Sequence, residues 1–125
     1  MELNSEVPTA PPRDAATVVM LRDAPNGLEV FLVKRHGLSD VLGGASVFPG
    51  GKLDAADALL DPMAHLDQEP TALHAALGEP GTAASTATGL YVAALREAFE
   101  ESRVLFTHDI AHARAALLHD TAKPF

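Results

Sequence analysis

Apolar and polar positions divide the chain into stretches of different period. Residues 15–22, AATVVMLR, and 29–35, EVFLVKR, are short apolar runs rich in β-branched side chains, and both predict strands. Between them Asn26-Gly27 is expected to turn the chain, since this pair readily takes the positive φ angles of a tight hairpin. The near-continuous apolar character of both runs suits a sheet covered on both faces. Residues 36–44 read as a glycine-containing loop, and ASVF then forms a short strand running into Pro49-Gly50-Gly51. From 52 to 90 the pattern weakens, with LDAADALLDP, a short helical stretch TALHAAL and then GEPGTAASTATG. Residues 78–89 offer almost no large apolar side chain and are expected to pack loosely. The whole of 52–90 reads as an excursion from the core.

Beyond Gly89 the pattern sharpens. Residues 90–102, LYVAALREAFEES, are good helix formers without internal Gly or Pro, and Ser85, Thr86 and Thr88 offer N-caps nearby. At about 100° per residue, with Glu97 at zero, Glu101 lies at about +40° and Glu100 at about −60°. Val92, Leu95 and Phe99 fall opposite, between about 160° and 220°, and are expected to form the core stripe. A brief strand VLF should follow at 104–106. Thr107 would then cap a last helix over 108–120, with Ile110, Ala113, Leu117 and Leu118 on one side.

Three carboxylates at i, i+3 and i+4 are locally unfavourable, because like charges at these spacings repel. They also lie in the last turns, where the helix dipole disfavours negative charge. A divalent cation reverses both penalties, and Mg²⁺ suits oxygen ligands while keeping waters for a phosphate-bearing substrate. A solvated glutamate-rich face is the alternative. Upstream, Phe48-Pro49-Gly50-Gly51 closes a strand with two glycines, which lets backbone approach a ligand or a helix closely.

Composition narrows the choice. The chain has 125 residues, which suits one domain, and 23 of its apolar residues are Ala, leaving material for a modest core. Nine Lys and Arg stand against 17 Asp and Glu, a net charge of −8. Such a chain lacks the cations for a sequence-independent grip on nucleic acid or an anionic membrane. With no cysteine there is no disulfide, thiolate zinc site or Cys nucleophile. No apolar run approaches transmembrane length, and the start, MELNSEVPTAPPRD, lacks the pattern of a signal peptide. A soluble cytoplasmic protein is the default expectation, with residues 1–14 as a flexible leader.

Jointly, FPGG and REAFEES resemble the box of the Nudix hydrolases. That signature is Gly, five residues, Glu, seven residues, then Arg-Glu, an aliphatic, any residue, Glu-Glu, any residue, Gly and an aliphatic. Here Gly51 takes the first place, Asp57 stands where Glu is usual, and Arg96 to Val104 cover the second half. Residues 58–95 number 38 where the signature has seven, so 31 extra residues split the box. This interruption, with AATV, FPGG followed by LDAAD, and ALREAFEE, is similar to the branch containing the peroxisomal coenzyme A diphosphatases and their bacterial relatives. Arg103 occupies the usual glycine position after the helix, where a left-handed residue caps the end. The exit must therefore differ or be strained.

The resemblance implies an α/β fold, a mixed sheet sandwiched between helices. Residues 15–125 would be a partial Nudix domain with an insertion at about 58–90, incomplete at the C-terminus. It further implies Mg²⁺- or Mn²⁺-dependent hydrolysis of a pyrophosphate linkage in a small nucleoside diphosphate derivative: coenzyme A-like, NADH-like or a nucleotide sugar. Glu97, Glu100 and Glu101 would hold metal, with Gly50 or Gly51 adding a backbone carbonyl. Glu100, Glu101 and Arg96 are the catalytic candidates. Arg96 would orient the carboxylates, paired with Asp57 if the shorter side chain reaches it. The general base is expected among the same glutamates or beyond this chain. Arg35, in Lys34-Arg35-His36, is the candidate for substrate phosphates, with strand-end solubility as the alternative. A homodimer is compatible with this reading. The competing class is a Nudix-like binding or assembly module, or an inactive remnant. His108 and His112 have metal-capable spacing, but no third ligand accompanies them.

Overall fold

The computed structural model describes residue 7 and residues 9–35 and 43–107. Six short strands precede four helices: β1 (Ala15–Thr17), β2 (Leu21–Ala24), β3 (Gly27–Val30), β4 (Val33–Lys34), β5 (Ser46–Val47), β6 (Gly50–Lys52), α1 (Ala55–Leu59), α2 (Pro62–His65), α3 (Pro70–Leu77) and α4 (Ala84–Ser102). The chain is thus mixed α/β. Among the described residues the strands form three two-stranded antiparallel pairs, β1–β6, β2–β3 and β4–β5, in place of the expected single mixed sheet.

Backbone bonds outside the strands explain how the pairs relate. Arg35 N–H donates to Ala45 O, Val18 N–H to Pro49 O and Leu53 N–H to Asp14 O, each at 2.9 Å. Residues 45–53 therefore run as one extended segment that pairs first with β4 and then with β1. The change of partner falls at Phe48-Pro49.

The β2–β3 hairpin differs from expectation at its turn. Ala24 pairs with Gly27, so the loop residues are Pro25 and Asn26. Pro25 has no N–H with which to close an Asn26-Gly27 turn, and its preset φ suits the loop instead. The positive φ then falls on Gly27, at 122°. Nor are both faces of this hairpin covered among the described residues: Leu28 is 69% exposed and Leu21 56%.

The helices pack on β1 and β6 through α4, which touches α1, α3, β1 and β6. The stretch read as loose begins α4 at Ala84, after N-cap Ala83, and no Ser or Thr caps it. Ala87, Thr88 and Gly89 are buried. Their small size is the reason. A Cβ on Gly89 would lie 3.0 Å from Leu53 Cδ1 and 3.1 Å from Ala58 Cα, so α1 sits directly on this glycine. The expected core stripe is also displaced. Val92, Leu95 and Phe99 are only half-buried, whereas Ala87, Ala93 and Ala98 are fully buried. On the same wheel these alanines lie at about +80°, −40° and +100°, flanking the carboxylate side. Close approach of α1, β1 and β6 on that side demands small residues. Leu73 of α3 completes the buried apolar set, so part of 52–90 belongs to the core.

Val104 to Phe106 form no strand and are exposed. The helix expected over 108–120, with His108 and His112, lies outside the described residues. No helix among the described residues is long and apolar enough to cross a membrane.

Candidate functional site

Arg96 gathers the two stretches singled out in the sequence. Its Nε and Nη2 donate to the two Asp57 carboxylate oxygens at 2.9 and 3.0 Å, a bidentate pair across 39 positions. Nη2 also donates to the Lys52 carbonyl at 3.0 Å, and Nη1 reaches Glu97 Oε1 at 3.0 Å and Glu100 Oε2 at 3.2 Å. Asp54 stands at 3.6 Å. One guanidinium thus binds the end of β6, the start of α1 and two carboxylates of α4.

Local structure prepares this hub. Asp57 is the third residue of α1, where its carboxylate accepts the Asp54 backbone N–H at 2.8 Å and faces the positive end of the helix. Only 3% of its surface is exposed. Hydrogen bonds from Arg96 hold its carboxyl below the ordinary value of 3.8, outweighing the desolvation that would raise it. Arg96 is in turn held more firmly protonated, chiefly by Asp57. The shorter Asp does reach Arg96, because the fit at Gly89 brings α1 against α4.

Gly51 has a specific reason to be glycine. A Cβ there would overlap the Glu97 carboxylate, which lies directly over the β6 backbone. Gly50 is tighter still in kind, since its Cβ would meet the fixed Ala16 carbonyl at 2.5 Å. Glu101, one turn beyond Glu97, has its carboxyl pushed up by partial burial and then by the charges of Glu97 and Glu100. Arg35 and the Gly50 backbone N–H pull it back in part. Arg35 is therefore brought to the glutamate site, at the edge of two neighbouring hollows. One, of about 480 Å³, is lined by Thr17, Leu32, Arg35, Phe48 and Gly50 among others. The second, of about 370 Å³, includes Lys34, Arg35, Phe48, Gly50 and Glu101.

The exit from α4 settles on the left-handed conformation. Arg103 has φ 61° and ψ 16°, and is the only non-glycine residue with positive φ among those described. Its N–H donates to Phe99 O at 2.8 Å, and its guanidinium lies 5.4 Å from the Phe99 ring centroid.

Every sequence-derived site residue (Arg35, Gly51, Asp57, Arg96, Glu97, Glu100, Glu101) is thus placed around one end of α4. The donors for a metal are all oxygen, the chemistry of a hard divalent cation. Among the described residues, however, no three acidic or histidine side chains converge as a ready-made metal cluster. Glu97 and Glu100 each turn an oxygen to Arg96 instead. Sequence reasoning missed Phe48 and the Lys52 carbonyl. It also passed over the capping spacing of Asp54 and Asp57, which was legible. No family model matches this chain, and no solved structure matches it.

Proposed function

We propose that this chain carries a Nudix-type pyrophosphohydrolase site that acts on a nucleoside diphosphate derivative with Mg²⁺ or Mn²⁺. The observation that carries the reading is the Asp57–Arg96 pair, which joins the two halves of the interrupted box. Closure of Gly51 on Glu97 supports it. Under this reading the sheet would extend into the mixed, helix-flanked sheet of that family, and residues from about 58 to 90 would be an insertion in it.

The carboxylates of Glu97, Glu100 and Glu101, with the Gly51 carbonyl, are the groups that would hold the metal. When bound, the metal supplies an activated water and charge neutralisation on the diphosphate. Arg96 acts as the positioning residue. Anchored on Asp57 and Lys52 O, it fixes where Glu97 and Glu100 stand and offsets their mutual repulsion. Partial burial raises the Glu101 carboxyl first and the Glu97 and Glu100 charges add to it, and a cation would relieve that second, like-charge part. Arg35 and Lys34 provide positive charge beside Glu101 for substrate phosphates.

A second reading has one observation behind it. With Glu97 and Glu100 already bonded to Arg96, the same architecture would serve as a ligand-binding or assembly module without turnover. Hydrolysis of ADP-ribose, NADH and coenzyme A with and without Mg²⁺ separates the two. The enzyme reading expects metal-dependent release of monophosphate products, and Glu100→Gln should remove most of it while the circular dichroism spectrum is kept. Ligand binding without turnover at any Mg²⁺ or Mn²⁺ concentration would favour the module.

A further inference from the structure

Phe48 is placed as few apolar side chains on this protein are. It stands where the segment 45–53 changes partners, between β5, which pairs Val47 with Val33, and Pro49, whose ring is fully buried. Pro49 O also accepts the Val18 N–H at 2.9 Å. The backbone is thus pinned on both sides of a residue whose own ring is 41% exposed. Burial does not hold this aromatic, and the chain spends no flexibility on it.

Phe48 borders two neighbouring hollows. The two hollows beside α4 share Arg35, Val47, Phe48 and Gly50. One of them reaches Lys34 and the Glu101 carboxylate. The other contains no acidic residue and is lined by Leu32, Thr17 and Ser46 besides the shared group. Gly50 borders both hollows, and its backbone lies against β1, where a Cβ would meet the Ala16 carbonyl at 2.5 Å. A ligand with a charged end and a flat, weakly polar end matches this pair of hollows. The charged end would take the side of Lys34, Arg35 and Glu101, and the flat end would lie on the exposed ring.

We infer that Phe48 is a specificity-determining residue that stacks on the aromatic base of a nucleoside phosphate, with Leu32 and Thr17 lining the rest of that hollow. The inference rests on the proposed function for the phosphate end, and adds which part of the ligand the protein reads. Stacking is tolerant of base identity because every base presents a π face. The subsite therefore selects for a base over none, and discriminates weakly among bases.

Binding to the full chain, measured by isothermal titration without metal, uses AMP and ribose 5-phosphate as probes. AMP should bind about tenfold more tightly, the scale of one base–aromatic stack. Phe48→Ala should erase that preference, with circular dichroism confirming the fold. Phe48→Trp should keep it and provides a second readout, since the natural chain contains no Trp. Its indole emission should be quenched by AMP and unaffected by ribose 5-phosphate. Equal binding of the two probes, binding of neither, or a preference that survives Phe48→Ala would overturn the assignment. Mg²⁺-dependent hydrolysis of ADP-ribose is followed in parallel. A base preference without hydrolysis would leave the subsite standing and remove the enzyme reading. Hydrolysis without a base preference would do the reverse.

Discussion

The two ends of the described fold are built on opposite packing rules. Around α4, the contacts with α1, β1 and β6 are made by small or backbone groups: Gly51, Gly89, Ala87, Ala93 and Ala98. In the β2–β3 hairpin the large apolar side chains, Leu21, Leu28 and Val30, are exposed. Side-chain size is therefore no guide to where this protein is tightly held. Helix and strands that approach closely leave room only for hydrogen or methyl, and every displaced ångström there moves a charged group. The hairpin is secured by its ladder and by the exposed Arg22–Glu29 ion pair at 2.6 Å, which is worth little in water.

The sharpest way to break this contrast is at the hub. Asp57→Asn would leave the Arg96 guanidinium half-paired in a confined place, and should cost about 3 kcal/mol, the low end for breaking a buried pair. Urea denaturation would read it, and a loss below 1 kcal/mol would show that the pair is not what joins α1 to α4. The same pair fixes a pH window. Because the folded-state pKa of Asp57 is depressed, its contribution is present in full above the unfolded value near 3.8. It is lost as pH falls through the lower folded value. Glu101 has the opposite sign: its raised carboxyl costs stability when ionised, and acid relieves that cost. Stability of the natural chain should fall steeply below about pH 4. In Asp57→Asn the loss should be shallower.

Gly89→Ala tests close packing without charge. Its methyl would press on Leu53 and on the α1 backbone at Ala58, costing about 2 kcal/mol as an overpacked contact. A helix interior otherwise gains from this substitution, so a rise in melting temperature would show that α1 has room to retreat.

Arg103→Gly should act the other way. Relief of the left-handed conformation is worth about 1 kcal/mol. Loss of the contact with the Phe99 ring takes back about 0.5 kcal/mol, so the net gain is small. A lower melting temperature would mean that the arginine side chain matters more than its backbone. The smallest effect belongs to the hairpin. Leu28→Thr, at a position 69% exposed, should change stability by less than about 0.5 kcal/mol. A loss of the size expected at Asp57 would show the hairpin to be covered in solution, and the contrast would then disappear.

Much of the candidate site was legible in the chain, and for local reasons. The spacing of Glu97, Glu100 and Glu101 on a run of helix formers places them at one end of one face whatever else folds nearby. The need for a left-handed residue after the helix follows from the same local geometry, and Arg103 adopts it at φ 61°. The short helix through Leu73 and the strand leading into Gly50-Gly51 were readable from period and punctuation alone. Other features depended on contacts across tens of residues. The stretch AASTATG has weak intrinsic preference, and it becomes helix because α1 lies on Gly89. Which side of α4 is most deeply covered depends on the same packing: the alanines are fully buried, and Val92, Leu95 and Phe99 only half so. The change of strand partner at Phe48-Pro49 and the single guanidinium binding Lys52, Asp57, Glu97 and Glu100 likewise come from tertiary packing. Periodicity records what one segment prefers, whereas the distance between two segments is decided only when both are present.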